Sequence, residues 1–333
     1  MTTSIVVSPG TVDVVTLGEC LVAMVASDPG PLAEARMFVA HVAGAEANLA
    51  VGLARLGMSS AIIGRVGDDG FGAMIMRRLR GEGVDVSGVS SDTNGPTGML
   101  VRSQAGVGKA ELRYYRAGSA GSMLSADDVT RHVATIRAAR ILHVTGITPA
   151  LSGECHRAVL DAVDVAKRSG RLVSMDINFR RRLWSEETAR DVLMPIARSA
   201  DILVGSPDEA RMLLGAPQGT DHERLTRALQ DLGPRIVVIK AGDMGAIGVD
   251  GQEPIVAAPA IEVRRVVDPI GAGDAFTAGL LAAILSGEPI IEALRWANGC
   301  GAAAVAVTGD LVGLPTQPEL QMILTGSKDE IFR

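Results

Sequence analysis

Cysteine is scarce: Cys20, Cys155 and Cys300 are the three in the chain, far apart and with no C-x-x-C pair. The odd count and wide spacing argue against a disulfide framework, so all three read as small buried apolar side chains. Long apolar runs are missing too. Gly279–Leu285 falls far short of the roughly 20 residues that span a bilayer, so no membrane partner is expected. The opening Met1–Gly10 lacks a basic start followed by a sustained apolar run, which argues against a secretory signal and makes the cytoplasm the expected location. There are no long runs of one charge. The net charge of -6 is spread along the chain, which removes the basic footprint of a nucleic-acid binder and leaves small molecules as the expected partners. No repeat or low-complexity segment occurs. Two nucleotide motifs are also missing: Gly106-Val-Gly-Lys109 does not fit G-x-x-x-x-G-K-[ST], and no strand candidate leads into a clean G-x-G-x-x-G.

What is present is a chain of 333 residues, 47% of them hydrophobic, enough for one large α/β domain or two smaller ones. Short β-rich runs alternate with helical patterns, the signature of βαβ units around a buried, mostly parallel sheet. The clearest strand candidates are 12–17, 61–63, 141–145, 172–175, 202–204 and 236–239, each expected to lead into a helical stretch. Ser152 is placed to cap a helix running to Lys167, with Gly170 to end it; Ser125, Asp127 and Asp128 open another. Two regions break the rhythm, 20–42 and 96–118. In the second, 97–102 and 110–116 read as antiparallel strands with Gly106 and Gly108 in the turn. Meeting in space, the two regions would form a small sheet that covers one edge as a lid. Residues from Pro315 onward read as a last short helix.

Gly271-Ala272-Gly273 follows a strand-like stretch, Ile261–Val267, and precedes a helical run from Ala275 to Leu285. Glycines at a helix N-terminus let several backbone N–H groups point at one anion, where the helix dipole also favours negative charge. Asp274 then sits in the first turn, within reach of a hydroxyl attacking phosphorus there. A loose phosphoryl-transfer transition state needs positioning more than strong basicity, so a carboxylate suffices as base. The same four residues would equally serve as an ordinary helix start.

The run Asp268-Pro-Ile-Gly-Ala-Gly-Asp-Ala-Phe-Thr-Ala-Gly-Leu280 resembles the C-terminal signature of the PfkB, or ribokinase-like, sugar kinases. Ala43-Gly-Ala-Glu-Ala-Asn-Leu-Ala-Val-Gly-Leu-Ala-Arg-Leu-Gly57 and Gly64-Arg-Val-Gly-Asp-Asp-Gly-Phe-Gly72 resemble its N-terminal signature region. Ordered matches cover residues 13 to about 315. The resemblance implies ATP and Mg2+ as cofactors and a ribokinase-like three-layer α/β/α fold with a mostly parallel central sheet and a small β-sheet lid. It implies a kinase domain over 13–325 between tails at 1–12 and 326–333. By the same resemblance Asp274 is the base and Gly271, Ala272 and Gly273 form the anion hole. Lys240, Gly242 and Gly245, in Lys240-Ala-Gly-Asp-Met-Gly245, belong to a nucleotide-binding turn, and Asn298 lies near the adenine. Ser206-Pro-Asp-Glu209 stands where the family commonly has Asn-x-x-Glu. It implies a nucleotide-side position for Ser206 and an indirect, water-mediated link from Glu209 to Mg2+, although Glu209 alone reads as an ordinary first-turn acid.

On a strand, Tyr114 and Arg116 share one face and Tyr115 takes the other. Arginine's planar fork suits a carboxylate, which draws attention to Arg116 and Arg180 as partners for a sugar acid. The segments 114–122, 146–152 and 176–185 resemble the 2-keto-3-deoxygluconate kinase branch of the family. That implies a substrate site of Gly44, Tyr114, Tyr115, Arg116, Arg180, Asp274 and Asp310, with Asn178 and Arg180 also approaching the nucleotide. Glu19 reads either as a sugar contact or as an acid at the lid hinge. The chain departs from the branch at Leu100, where a lid tyrosine can stand, and at Ala43, which replaces the first glycine of a pair; the loss of a hydroxyl partner relaxes selectivity. The expected reaction is phosphorylation of the terminal primary hydroxyl of a 2-keto-3-deoxy sugar acid. The alternatives are a kinase of the same fold for a neutral sugar or nucleoside, and a sugar sensor without turnover. Exposed lid edges invite pairing, so a homo-oligomer, such as a dimer, is expected.

Overall fold

The computed structural model describes residues 11–104 and 111–326; the expected turn glycines Gly106 and Gly108 and both chain ends lie outside the described residues. In chain order the strands are β1 (Val12–Leu17), β2 (Leu21–Pro29), β3 (Phe38–Ala43), β4 (Ser60–Gly67), β5 (Asp85–Asp92), β6 (Met99–Gln104), β7 (Leu112–Tyr115), β8 (Ala139–Thr145), β9 (Leu172–Asp176), β10 (Ile202–Gly205), β11 (Ile236–Lys240), β12 (Ala246–Asp250) and β13 (Val256–Ala258). The helices are α1 (Ala45–Arg55), α2 (Gly70–Gly81), α3 (Ala126–Arg131), α4 (Val133–Ala138), α5 (Gly153–Arg168), α6 (Glu186–Ser199), α7 (Pro207–Leu214), α8 (His222–Gln230), α9 (Ala272–Leu285), α10 (Ile290–Ala304) and α11 (Gln317–Thr325).

Nine strands form the main sheet in the order β13-β12-β11-β10-β9-β8-β1-β4-β5. From β11 to β5 every pairing is parallel. Because side chains alternate across a strand, one run of apolar residues feeds two cores. Val14, Ile141, Ile202, Val204, Ile236 and Val238 face a core shared with α1, α2, α9 and α10. Val15, Leu142, Val144, Leu203, Val237 and Ile239 face the other, shared with α4 to α8. The result is a three-layer α/β/α fold. The helix signals act as expected: Ser152 caps α5 by accepting from Cys155 N, and Ser125 forms a capping box with Asp128 at α3.

Three expectations fail. Val12–Leu17 leads not into a helix but into β2 of a second sheet, and α1 comes only after β3. Ile236–Lys240 leads not into a helix but into a 3-10 turn, Gly242–Met244, and then the antiparallel pair β12 and β13. Gly245 makes that reversal possible: its φ is +89°, and a Cβ there would come within 2.1 Å of the Ala258 carbonyl. Ile261–Val267 is not a strand. By then β13 has taken the sheet edge, and the segment's end is tied to α10 instead, through Val267 N and Asp268 N donating to the Val305 carbonyl.

The regions 20–42 and 96–118 do meet, in a second sheet ordered β3-β2-β6-β7. β6 pairs antiparallel with β7, setting Leu100 opposite Tyr114 and Arg102 opposite Leu112. Leu100, Leu112 and Tyr114 pack with Leu21, Ala23, Val25 and Ala43, so this small sheet has one apolar face. Among the described residues no helix is long and apolar enough to cross a membrane.

Candidate active site

In open parallel sheets the carboxyl ends of the strands bring loops from many elements into one crevice. Here that edge gathers Asp176 at the end of β9, Asn178 just beyond it, Lys240 at the end of β11 and the start of α9. Gly271, in the left-handed region at φ +81°, caps α9. The first amides of a helix have no intrahelical partner; Ala272 N reaches only the Pro269 carbonyl, at 3.4 Å. The Lys240 ammonium lies 3.5 Å from where a Cβ on Gly273 would stand. Helix-start amides with at most a long bond, the positive end of a helix and an ammonium together suit a phosphate chain.

Asp274, in the first turn of α9, is buried. Its Oδ2 accepts from Asn48 Nδ2 at 2.8 Å, while Oδ1 has only Asn178 Nδ2 at 3.4 Å. One oxygen is therefore pinned and the other is available. Burial raises the Asp274 pKa, with the Asn48 hydrogen bond and the Arg180 charge acting against the shift. Asn48 Nδ2 also reaches Asp310 Oδ2 at 3.3 Å. Asp310 is raised to about 6, by burial first and also by the neighbouring Asp274 charge. Asp310 Oδ1 and Asn48 Oδ1 are buried with no partner; a ligand rich in hydroxyls supplies donors of the missing kind.

Lys240 Nζ is held by both oxygens of Asp176, at 2.9 and 2.7 Å, and Asp176 Oδ2 accepts from Thr277 Oγ1 at 3.1 Å. Burial alone would lower the Lys240 pKa, but the Asp176 and Glu209 charges raise it overall. Lys240 is thus a fixed cation beside the start of α9. Arg180 is exposed and close enough for its charge to act on Asp274. Asn178, at φ +40°, is the one non-glycine in the left-handed region among the described residues; asparagine tolerates that region, and the turn it makes carries the chain to Arg180.

Ser206 and Glu209 form a capping box at α7. Both Glu209 oxygens already accept backbone amides, Oε2 from Ser206 at 2.7 Å and Oε1 from Phe179 at 2.8 Å. Glu209 therefore supports the loop beside Asn178. Asn298 donates to the carbonyls of Ala258 and Pro259 at 3.1 and 3.0 Å, the segment on which Gly245 also packs. The turn carrying Gly242 and Gly245 and the residue expected near adenine thus share one wall. No group of three or more metal-ligating side chains occurs among the described residues.

On the small sheet, Arg116 lies over the Tyr114 ring at 5.4 Å. Its Nε donates to Glu19 Oε2 at 2.6 Å, and the buried Glu19 also accepts from Ser119 Oγ. Glu19 is thus an acid at the hinge between β1 and β2, and it occupies Arg116. Tyr115 points the other way and is 61% exposed. Gly44 starts α1 against the Glu19 carbonyl. Asn48 and Asp176 had no part in the expected site. Asn48 is the lone amide in a run of small apolar residues, and Asp176 ends an apolar strand: a buried polar residue in each place is the signal that could have found them.

The sequence pattern of the pfkB family of carbohydrate kinases matches residues 12–317. The 2-dehydro-3-deoxygluconokinase of Thermoproteus tenax is 39% identical over 317 residues, 94% of each chain. Fructokinase-1 of Zea mays is 33% identical over 320 residues, 93% of this chain and 97% of that one. An Escherichia coli protein solved in complex with ATP and Mg2+ superimposes with a TM-score of 0.86 at 29% identity, over 95% of this chain and 99% of that one.

The raised Asp310 carboxyl gives a signed expectation. A carboxyl that holds its proton more tightly when folded adds stability below its ordinary value of 3.8, and that stability is lost as pH climbs toward about 6. Asp310→Asn does not titrate. Its unfolding free energy relative to the parent should therefore rise between pH 4 and pH 8, by about 3 kcal/mol at most. A difference that stays level across that range contradicts the assignment.

Proposed function

We propose, from the premise that the chain belongs to the pfkB family of carbohydrate kinases, that it phosphorylates the terminal primary hydroxyl of a 2-keto-3-deoxy sugar acid. The family uses ATP with Mg2+. The observation that carries the reading is Asp274, with one oxygen pinned by Asn48 and the other left for a proton, in the first turn of a helix whose first amide, Ala272 N, has only a 3.4 Å bond to the Pro269 carbonyl. Asp274 Oδ1 takes the proton of the attacking hydroxyl. The amides of 271–273 receive the charge on the transferring phosphoryl group, with the Lys240 ammonium beside them. Mg2+, when bound with the nucleotide, would neutralise phosphate charge there. The small sheet acts as the lid, its inner face carrying Tyr114 and Arg116.

The acidic acceptor is supported by Arg180 and by likeness to 2-dehydro-3-deoxygluconokinase. Arg116 is already matched by Glu19, whereas Arg180 has no ion pair with the described residues, so Arg180 is the better anchor for a carboxylate. Likeness to fructokinase supports a neutral hexose as the second reading, as does Leu100, which puts an apolar side chain opposite Tyr114 where a hydroxyl would select. The three cysteines are unpaired and buried, which fits a reducing cytoplasm. The β3 edge of the small sheet exposes Met37, Phe38 and Val39, which supports pairing of two copies there; a monomer mass in light scattering contradicts that assembly.

A coupled assay of ADP release across sugars and sugar acids tests the acceptor. Turnover should be highest with 2-keto-3-deoxygluconate or its epimer. Arg180→Met should raise KM for the acid by about 10- to 100-fold, as expected for a lost charge-assisted contact of about 1.5–3 kcal/mol, and leave a neutral sugar nearly unchanged. Equal losses on both would sink the carboxylate role.

A further inference from the structure

The small sheet is fastened to the main layers by two buried ion pairs. Glu19 with Arg116 stands at the hinge. The other joins Arg102 of β6 to Asp268, whose first carboxylate oxygen accepts from Ile270 N at 3.2 Å and whose second accepts from Arg102 Nη2 and from Gly309 N at 3.2 Å. Asp268 and Arg102 are both buried. Asp268 opens the turn that supplies the amides of 271–273, and Gly309 precedes Asp310. One carboxylate thus ties a strand of the small sheet, the anion-hole turn and the Asp310 loop. Arg102 and Leu100 occupy the same face of β6, the face that carries Tyr114.

Stability alone does not account for the pair. Replacing a buried ion pair by apolar side chains is often neutral or stabilising, and this one is imperfect: Arg102 Nε is buried without a partner. We propose that Arg102 is a positioning residue for phosphoryl transfer, acting through Asp268 to set the 268–273 turn against α9 and so linking the substrate-facing side of the small sheet to the anion hole. The proposal rests on the kinase reading given above. A group held about 1 Å out of place far from the reacting atoms costs on the order of 10²-fold in rate.

The test is a kinetic cycle of Arg102→Met, Asp268→Asn and the double variant, using the acceptor that the parent turns over best. Arg102→Met should lower kcat by about tenfold or more while KM for the sugar stays within about threefold, and the same replacement in the Asp268→Asn background should change kcat by less than about threefold. A kcat for Arg102→Met within about twofold of the parent, or equal losses in both backgrounds, overturns the proposal. If Arg102→Met does not fold, the double variant, which leaves no buried charge uncompensated, is compared with the parent: a loss of about tenfold in kcat at unchanged KM supports the role, and parental kcat overturns it. A wrong kinase reading shows differently, as a parent without turnover on any sugar. In that event amide exchange decides, with faster exchange at Gly271–Asp274 in the double variant supporting the role and an unchanged rate overturning it.

Discussion

Four carboxylates, Asp176, Asp268, Asp274 and Asp310, are buried around the start of one helix, and each must be compensated because an ionised group out of water is costly. Asp176 has the Lys240 ammonium and the Thr277 hydroxyl; Asp268 has the Arg102 guanidinium and two amides. Asp274 and Asp310 have no cation in contact and share the amide of Asn48. The charge excess is thus concentrated on the two acids that face neither lysine nor arginine directly. Burial is the main cause that raises both pKa values, and at Asp310 the neighbouring Asp274 charge adds to it.

The rest of the fold serves that arrangement. Parallel strands deliver Asp176, Asn178 and Lys240 to one edge, α1 brings Asn48 across, and α9, apolar on every side and buried for nearly its full length, holds Asp274 still. The small sheet is attached at its two ends by Glu19 with Arg116 and Asp268 with Arg102. Those attachments occupy Arg102 and Arg116, whereas Arg180 is exposed and has no ion pair with the described residues.

Much of this was legible in local pattern. The β1 boundaries follow from the apolar run Val12–Leu17, α5 from Ser152 and Gly170, and the small sheet from two breaks in the βαβ rhythm. Each of these is decided within a few residues. Ile261–Val267 misled because its apolar content is that of a strand while the sheet edge it would need is taken by β13, a long-range fact. The hairpin after β11 turned on Gly245 and its approach to Ala258, again invisible locally. At the site, Asp274 was legible as a first-turn acid after glycines. Glu209 was legible in its plainer sense, as a cap, and the structure gives both its oxygens to amides. Asn48, 226 positions away from Asp274, and Arg102, 166 away from Asp268, are partners that only the folded chain brings together.

The central claim is that Asp274 Oδ1 accepts the proton of the attacking hydroxyl. The most direct measurement is the turnover of Asp274→Asn beside the parent at saturating ATP and acceptor. The account predicts a fall of about 10²- to 10⁴-fold, the usual contribution of a general base, with acceptor binding retained because the amide keeps the shape of the carboxyl. Turnover within about tenfold of the parent would contradict it.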